Sequence, residues 1–143
     1  MAKKNVFVSF DYDNDKHYKN LLSAWDANPN FDFLFKDKTP REINSFNISR
    51  IKAGLTQKIN ESTYTLFIVG KYANQKHPKS NAIGFTNWIN FEAVKSRESG
   101  NYLAVILLDS TYAVPQQLSG AKYSYITGFG EQNVINVLNH SSE

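Results

Sequence analysis

Compact apolar runs alternate along this chain with stretches in which apolar residues recur every three or four positions. Val6-Phe7-Val8-Ser9-Phe10 is the first run, cut off by Asp11-Tyr12-Asp13-Asn14-Asp15, a pattern that predicts a buried strand followed by a turn. Tyr18, Leu21, Leu22 and Trp25 then recur at helical spacing, with Asp13 or Asn14 placed to cap the free amides. Asn28-Pro29-Asn30 breaks the chain. Phe31 to Phe35 alternates apolar and polar, as expected of a strand at the sheet edge. Residues 36–44 are polar, hold Pro40 and predict a surface loop. Ile48, Ile51, Leu55 and Ile59 mark a second helix, capped by Ser45 or Asn47.

Thr63 to Gly70 is nearly continuous in apolar residues, the mark of a central strand covered by helices on both faces. Residues 71–86 contain Pro78 and Gly84 and predict an irregular segment, long enough in a compact domain to suggest a functional or mobile one. A helix is predicted from Thr86 or Asn87 to Ser99, where Gly100 suits a left-handed end. Tyr102 to Leu108 is a further buried strand, Asp109 to Ala121 a polar connector, and Lys122 to Thr127 the last strand. Val134, Ile135, Val137 and Leu138 lie on one face of a closing amphipathic helix. Strands and helices alternating at this spacing give an α/β fold, a small doubly wound, flavodoxin-like parallel sheet of five strands, as a single domain over residues 1–143. Ligands bind such sheets at the carboxyl ends of the strands, near the switch point between the first and third. Here those ends are Phe10-Asp11-Tyr12 and Gly70-Lys71, and the helix carrying Trp88 and Glu92 starts on the same side.

Composition narrows the class. The 143 residues, 41% hydrophobic and 14% aromatic, fill one core. A net charge of +3 arises from scattered lysines, without the concentrated basic arm that would predict a nucleic-acid partner. There is no cysteine, which excludes disulfides and thiolate chemistry and suits a reducing compartment. The apolar runs are too short to span a bilayer, and the first residues lead straight into a strand, so neither a membrane nor a leader is expected and a cytoplasmic location is.

Several familiar sites fail on named residues. Asp11, Asp13 and Asp15 begin like a calcium loop, but Lys16 and Leu22 occupy the glycine and glutamate positions. A phosphoacceptor aspartate at the end of the third strand is replaced by Gly70-Lys71. Gly128-Phe129-Gly130 lacks the third glycine of a dinucleotide fingerprint and lies in the last unit, not the first. His17, His77 and His140 are dispersed, so no metal site is expected. What remains is a rim of Ser9, Phe10, Asp11, Tyr12, Asp37, Ser45, Phe46, Trp88 and Glu92. Taken singly, each has a plain role: Phe10 as core, Asp11 and Asp37 as turn formers, Ser45 as a cap, Phe46 and Trp88 as covers of the sheet edge, Glu92 as a solvent-facing helix residue. Taken together, they outline a groove with stacking surfaces and one carboxylate.

A single carboxylate constrains the chemistry. Hydrolysis of an ordinary glycoside needs two, because the leaving oxygen has to be protonated. A pyridinium departs neutral without a proton. Against the ribose of a nucleotide such as NAD, one carboxylate can bind hydroxyls and stabilise the cationic transition state. Aromatic rings would hold the two bases, and a helix N-terminus near Asn44 to Asn47 would hold the pyrophosphate.

The first strand and its acidic turn, His17-Tyr18-Lys19-Asn20-Leu21-Leu22 with Trp25, Asn28-Pro29, Phe31-Asp32-Phe33, the helix from Ile51 to Ile59, the strand from Thr65 to Gly70 and a Trp-x-x-x-Glu at Trp88 and Glu92 together resemble the TIR-like domain family that includes the ThsB proteins of Thoeris antiphage defence. The likeness covers about the first two thirds of the chain. It implies an NAD-consuming hydrolase, a glycohydrolase or ADP-ribosyl cyclase, in which Glu92 is the catalytic residue. NAD would be the substrate, with no other cofactor. A cyclic ADP-ribose isomer or conjugate would be the product and would act on a separate effector protein. By the same resemblance Phe10, Asp11, Tyr12, Asp37, Phe46 and Trp88 line the pocket, and self-association can complete the site. The chain departs from the family at Asn87, where a basic residue is common, and keeps the aromatic at Phe91. Two other readings stay open on sequence: a nucleoside deoxyribosyltransferase-like hydrolase and a non-catalytic TIR-like interaction module.

Overall fold

Five parallel strands pair in the order β2-β1-β3-β4-β5: β1 Lys4–Ser9, β2 Phe33–Lys36, β3 Tyr64–Val69, β4 Tyr102–Leu107 and β5 Ser124–Thr127. The structure is a computed structural model and describes residues 3–36 and 47–143. Helices α1 (Tyr12–Asp26), α2 (Ile48–Asn60), the short α3 (Ser80–Ile83), α4 (Trp88–Ser99) and α5 (Glu131–Ser141) connect and cover the strands. The expected doubly wound, flavodoxin-like architecture is thus the observed one. β3 is central and wholly buried, and β2 forms one edge.

Strand side chains alternate between two faces, and each face has its own apolar layer. Val6, Val8 and Phe10 meet Leu22 of α1, while Ala104 and Ile106 meet Val134, Val137 and Leu138 of α5. On the opposite face Phe7 meets Ile51, Leu55 and Ile59 of α2 and Phe91 of α4. Phe67, Val69, Val105 and Leu107 pack there with Ile89 and Ala93 of α4. Each fully buried Leu, Ile or Phe contributes roughly 1.5–3 kcal/mol of transfer free energy, so these rows fix the register. They also aim Ser9, two residues after Phe7, at α4. The chain leaves β1 toward one edge of the sheet and returns to β3 on the other side of β1. A crevice therefore opens where the two paths diverge.

Local differences from the sequence pattern have local causes. Asp11, not Asp13 or Asn14, caps α1. It adopts extended backbone, accepts the Asp13 amide at 3.1 Å and the Asn14 side-chain amide at 2.7 Å, and leaves Asp13 inside the first helical turn. Asn47 caps α2 through the amides of Ser49 and Arg50; the alternative cap, Ser45, lies outside the described residues. β1 starts at Lys4 because pairing with Phe33 extends it toward the amino end, whereas β2 and β5 are shorter than their apolar patterns. Within the segment read as irregular, Ile83 drops into the α2/α4 cluster and brings one turn of helix with it. In the connector, buried Leu118 does the same for a single 3-10 turn. Gly100 closes α4 at φ 76°, where a side chain would be strained. Among the described residues no helix is long and apolar enough to cross a membrane.

Candidate functional site

Ser9 ends β1 facing α4, and Phe10 turns to the opposite layer. α4 begins beside them because Asn87 caps it, accepting the Asn90 amide at 2.9 Å, a bond whose loss costs about 1 kcal/mol. The first turn presents Trp88 and Ile89. Glu92 follows one turn deeper, only 3% exposed, and the Ser9 hydroxyl donates to its Oε1 at 2.6 Å. Burial raises its pKa to about 8, opposed by the hydrogen bond from Ser9. A solvent-facing Glu92 is thereby excluded. The carboxyl is held inside the protein, neutral for the most part at pH 7, with one donor already placed for its charged form.

Above it lies a cavity of about 220 Å³ bounded on three sides. The turn after β1 and the first turn of α1 supply Phe10, Asp11, Tyr12, Asp13 and Asn14; the start of α4 supplies Asn87, Trp88 and Ile89; residues 72–78 supply Tyr72, Gln75, Lys76, His77 and Pro78. Of the residues expected at the site, Phe10, Asp11, Tyr12 and Trp88 therefore share one cavity. Glu92 and Ser9 lie outside its lining. Asp37, Ser45 and Phe46 fall outside the described residues. Phe10 and Tyr12 stand ring to ring at 6.3 Å, and Trp88 meets Phe91 edge-on at 5.5 Å. The indole thus has one side in the core and one in the cavity. Asp11 is committed to capping α1 through both oxygens.

Tyr72, Lys76 and His77 had no period or motif to mark them. A cluster of asparagines was equally silent. Asn87 donates to the carbonyls of Ala73 and Gln75, Asn90 donates to Asn74 Oδ1, and Asn74 donates to the Val114 carbonyl. The one available signal was Asn90 itself, a poor helix former placed in the first turn of a helix.

At the end of β3, Gly70 faces Asp15 of α1. A Cβ on Gly70 would lie 2.3 Å from Asp15 Oδ2. Burial, then the nearby Asp11, raise the Asp15 pKa to about 6, with His17 acting the other way. Among the described residues no group of three or more His, Asp or Glu gathers to hold a metal ion. A wider groove between α2 and α4, lined by Lys52, Phe85, Phe91 and Lys95 among others, contains none of the residues expected at the site.

The strand order, the Trp88/Glu92 helix at the switch point and the aromatic cavity agree with a match to the family model "Thoeris protein ThsB, TIR-like domain" over residues 7–112. The chain belongs to the ThsB TIR-like domain family. The match spans β1 through β4 and includes Trp88 and Glu92. Solved structures agree with this family in fold. A 2-desoxiribosyltransferase from Leishmania mexicana superposes with a TM-score of 0.62 at 12% identity, covering 96% of this chain and 98% of that one. A prokaryotic SEFIR domain superposes with a TM-score of 0.55 at 14% identity, covering 98% and 94%. No curated protein matches the chain in sequence.

Proposed function

We propose that this TIR-like domain cleaves the nicotinamide–ribose bond of NAD, with Glu92 as the catalytic carboxylate, and yields a signalling nucleotide for a separate effector. The observation that carries the reading is Glu92 itself: one carboxyl, buried beneath an aromatic cavity at the switch point, with the Ser9 hydroxyl at 2.6 Å. In this role the ionised carboxylate faces the ribosyl cation as the C–N bond breaks. Nicotinamide leaves neutral, so no second acid is needed. A buried charge acts strongly because little water screens it. Ser9 holds the carboxylate in place and favours its charged form. Trp88, Tyr12 and Tyr72 offer ring faces to the nicotinamide and adenine, and Lys76 offers the diphosphate a cation. Phe10 forms the floor. Water or a hydroxyl of the same molecule then attacks the anomeric carbon, giving ADP-ribose or a cyclic isomer.

The test is nicotinamide release from NAD by the intact protein and by Glu92→Gln, in the resting state and after concentration-driven assembly. Turnover by the intact protein with a loss of about a hundredfold or more in the variant supports the reading. Equal turnover by both proteins rejects Glu92. The likeness to a 2-desoxiribosyltransferase supports a second reading, in which the same carboxyl faces a deoxyribose. Base release from deoxynucleosides, with NAD left intact, would favour it.

A further inference from the structure

We propose that Asn74, Asn87 and Asn90 form a clasp that holds residues 71–78 across the cavity as a releasable cover, so that breaking the clasp opens the site above Glu92. For its activity this inference rests on the NAD reading. The clasp is dense. Asn74 Oδ1 accepts from Asn90 Nδ2 at 3.1 Å and from the Gln116 amide at 2.9 Å, while Asn74 Nδ2 donates to the Val114 carbonyl at 3.0 Å. Asn87 Nδ2 donates to the carbonyls of Ala73 and Gln75 at 2.8 and 3.0 Å, and Asn90 Oδ1 accepts the Gln117 amide at 2.9 Å. Asn87 and Asn90 are themselves buried at the start of α4.

Three observations make the segment a cover and not a fixed wall. Within residues 71–78 only Ala73 is buried, and Tyr72 is 41% exposed, so apolar packing contributes little to holding it. Side-chain amides therefore hold the segment, through buried or half-buried hydrogen bonds that water can replace once the segment lifts and exposes them. The cavity as it stands, at about 220 Å³, is smaller than the usual range of roughly 300–1,000 Å³ for small-molecule pockets, and a dinucleotide needs more. Five of the cavity's lining residues belong to this segment, so its displacement enlarges the space beside Trp88. Asn74 and Asn90 also hold the backbone of Val114, Gln116 and Gln117, which couples the cover to the connector between β4 and β5.

Asn74→Ala removes three of these hydrogen bonds and leaves the α4 cap intact. Gln116→Pro deletes the Gln116 amide donor at the first position of a 3-10 turn, and it serves as the second variant should Asn74→Ala fold poorly. Three readouts are taken on the full chain: amide exchange, acrylamide quenching of Trp88 in a Trp25→Phe background, and nicotinamide release at low NAD. Expected are about tenfold faster exchange over residues 72–78 with β3 unchanged, greater quenching, and nicotinamide release raised severalfold. Unchanged exchange or unchanged quenching overturns the cover. Faster exchange and quenching with unchanged or slower release, in a protein that does cleave NAD, overturns its role as a gate. If neither the intact protein nor the variants release nicotinamide, the NAD reading fails, and the cover stands or falls on exchange and quenching alone.

Discussion

The Ser9 hydroxyl donates to Glu92 at 2.6 Å across the interface between β1 and α4, and both residues are buried. The pair couples stability to pH. With the Glu92 pKa raised to about 8 from an ordinary 4.5, the folded state binds more protons than the unfolded state between those values. Stability supplied by the neutral carboxyl is full below pH 4.5 and is lost as pH rises through 8. Glu92→Gln keeps the acceptor for Ser9 and removes the charge. Denaturant melts should show the variant close to the intact protein at pH 5 and more stable by a few kcal/mol at pH 9. A parallel pH dependence in the two proteins would place the titration elsewhere.

Ser9→Ala tests the same contact from the other side. The hydroxyl favours the charged carboxylate, so its removal raises the Glu92 pKa further. It also leaves a buried acceptor without its donor, at a cost of about 1–2 kcal/mol. If the carboxylate is the working form, kcat/KM of the intact protein climbs with pH and levels off near 8. In Ser9→Ala that limb should move up by about one pH unit. A fall in rate with an unmoved profile would reduce Ser9 to a packing role.

The fold was legible because burial and period coincide in it. The apolar run from Thr63 to Gly70 read as a strand covered on both faces and is β3, and Gly100 read as the end of α4, whose start, read at Thr86 or Asn87, is Trp88 behind the Asn87 cap. The candidate site was legible at Phe10, Asp11 and Tyr12, which follow the end of β1, and at Trp88, which starts α4 on the same side. Glu92 was named too, but the burial of α4's inner surface was not legible. Asn90, Glu92 and Ser96 are polar yet buried, since α4 is enclosed by the sheet, α2 and the connector, and a pattern of apolar positions assigns such residues to solvent. Ser96 meets Thr65 at 2.7 Å, Asn90 meets Asn74, and Glu92 meets Ser9. Each is satisfied by a partner at least 16 residues away that no local window contains. The cavity wall at Tyr72, Lys76 and His77 was hidden for the related reason that side-chain hydrogen bonds, not a repeating period, place it.

Lys76 and Trp88 should separate in steady-state kinetics. Lys76 is exposed on the cavity wall, so Lys76→Ala should raise KM for NAD about two- to fivefold with little change in kcat, an effect that weakens with added salt. Trp88→Ala removes a stacking face of the kind worth about 1–3 kcal/mol per base, so KM should rise about five- to 150-fold. Because the indole also packs edge-on against Phe91, Trp88→Phe is the comparison that keeps the ring and most of the packing. Equal KM for Trp88→Ala and the intact protein would remove the indole from the binding surface.

Gly70 stands where a phosphoacceptor fold would carry its aspartate, and the structure gives a steric reason for glycine there. The Asp15 carboxylate occupies the space of a Cβ, 2.3 Å from its ideal position. That side chain is itself buried, with its pKa raised to about 6 chiefly by desolvation. Gly70→Ala should therefore destabilise by about 1–3 kcal/mol, the range for overpacking. Asp15→Ala vacates the space, so the double variant should recover at least about 1 kcal/mol relative to the sum of the single changes. Additive losses in denaturant melts would place the cost of Gly70→Ala elsewhere than against Asp15. Since Asp15 favours its neutral form, the stability it contributes as an acid is present below pH 3.8 and lost as pH passes 6. Asp15→Asn should accordingly flatten the stability profile between those values; the window overlaps that of Glu92 between 4.5 and 6, so the two titrations are told apart above pH 6, where only Glu92 still changes the stability.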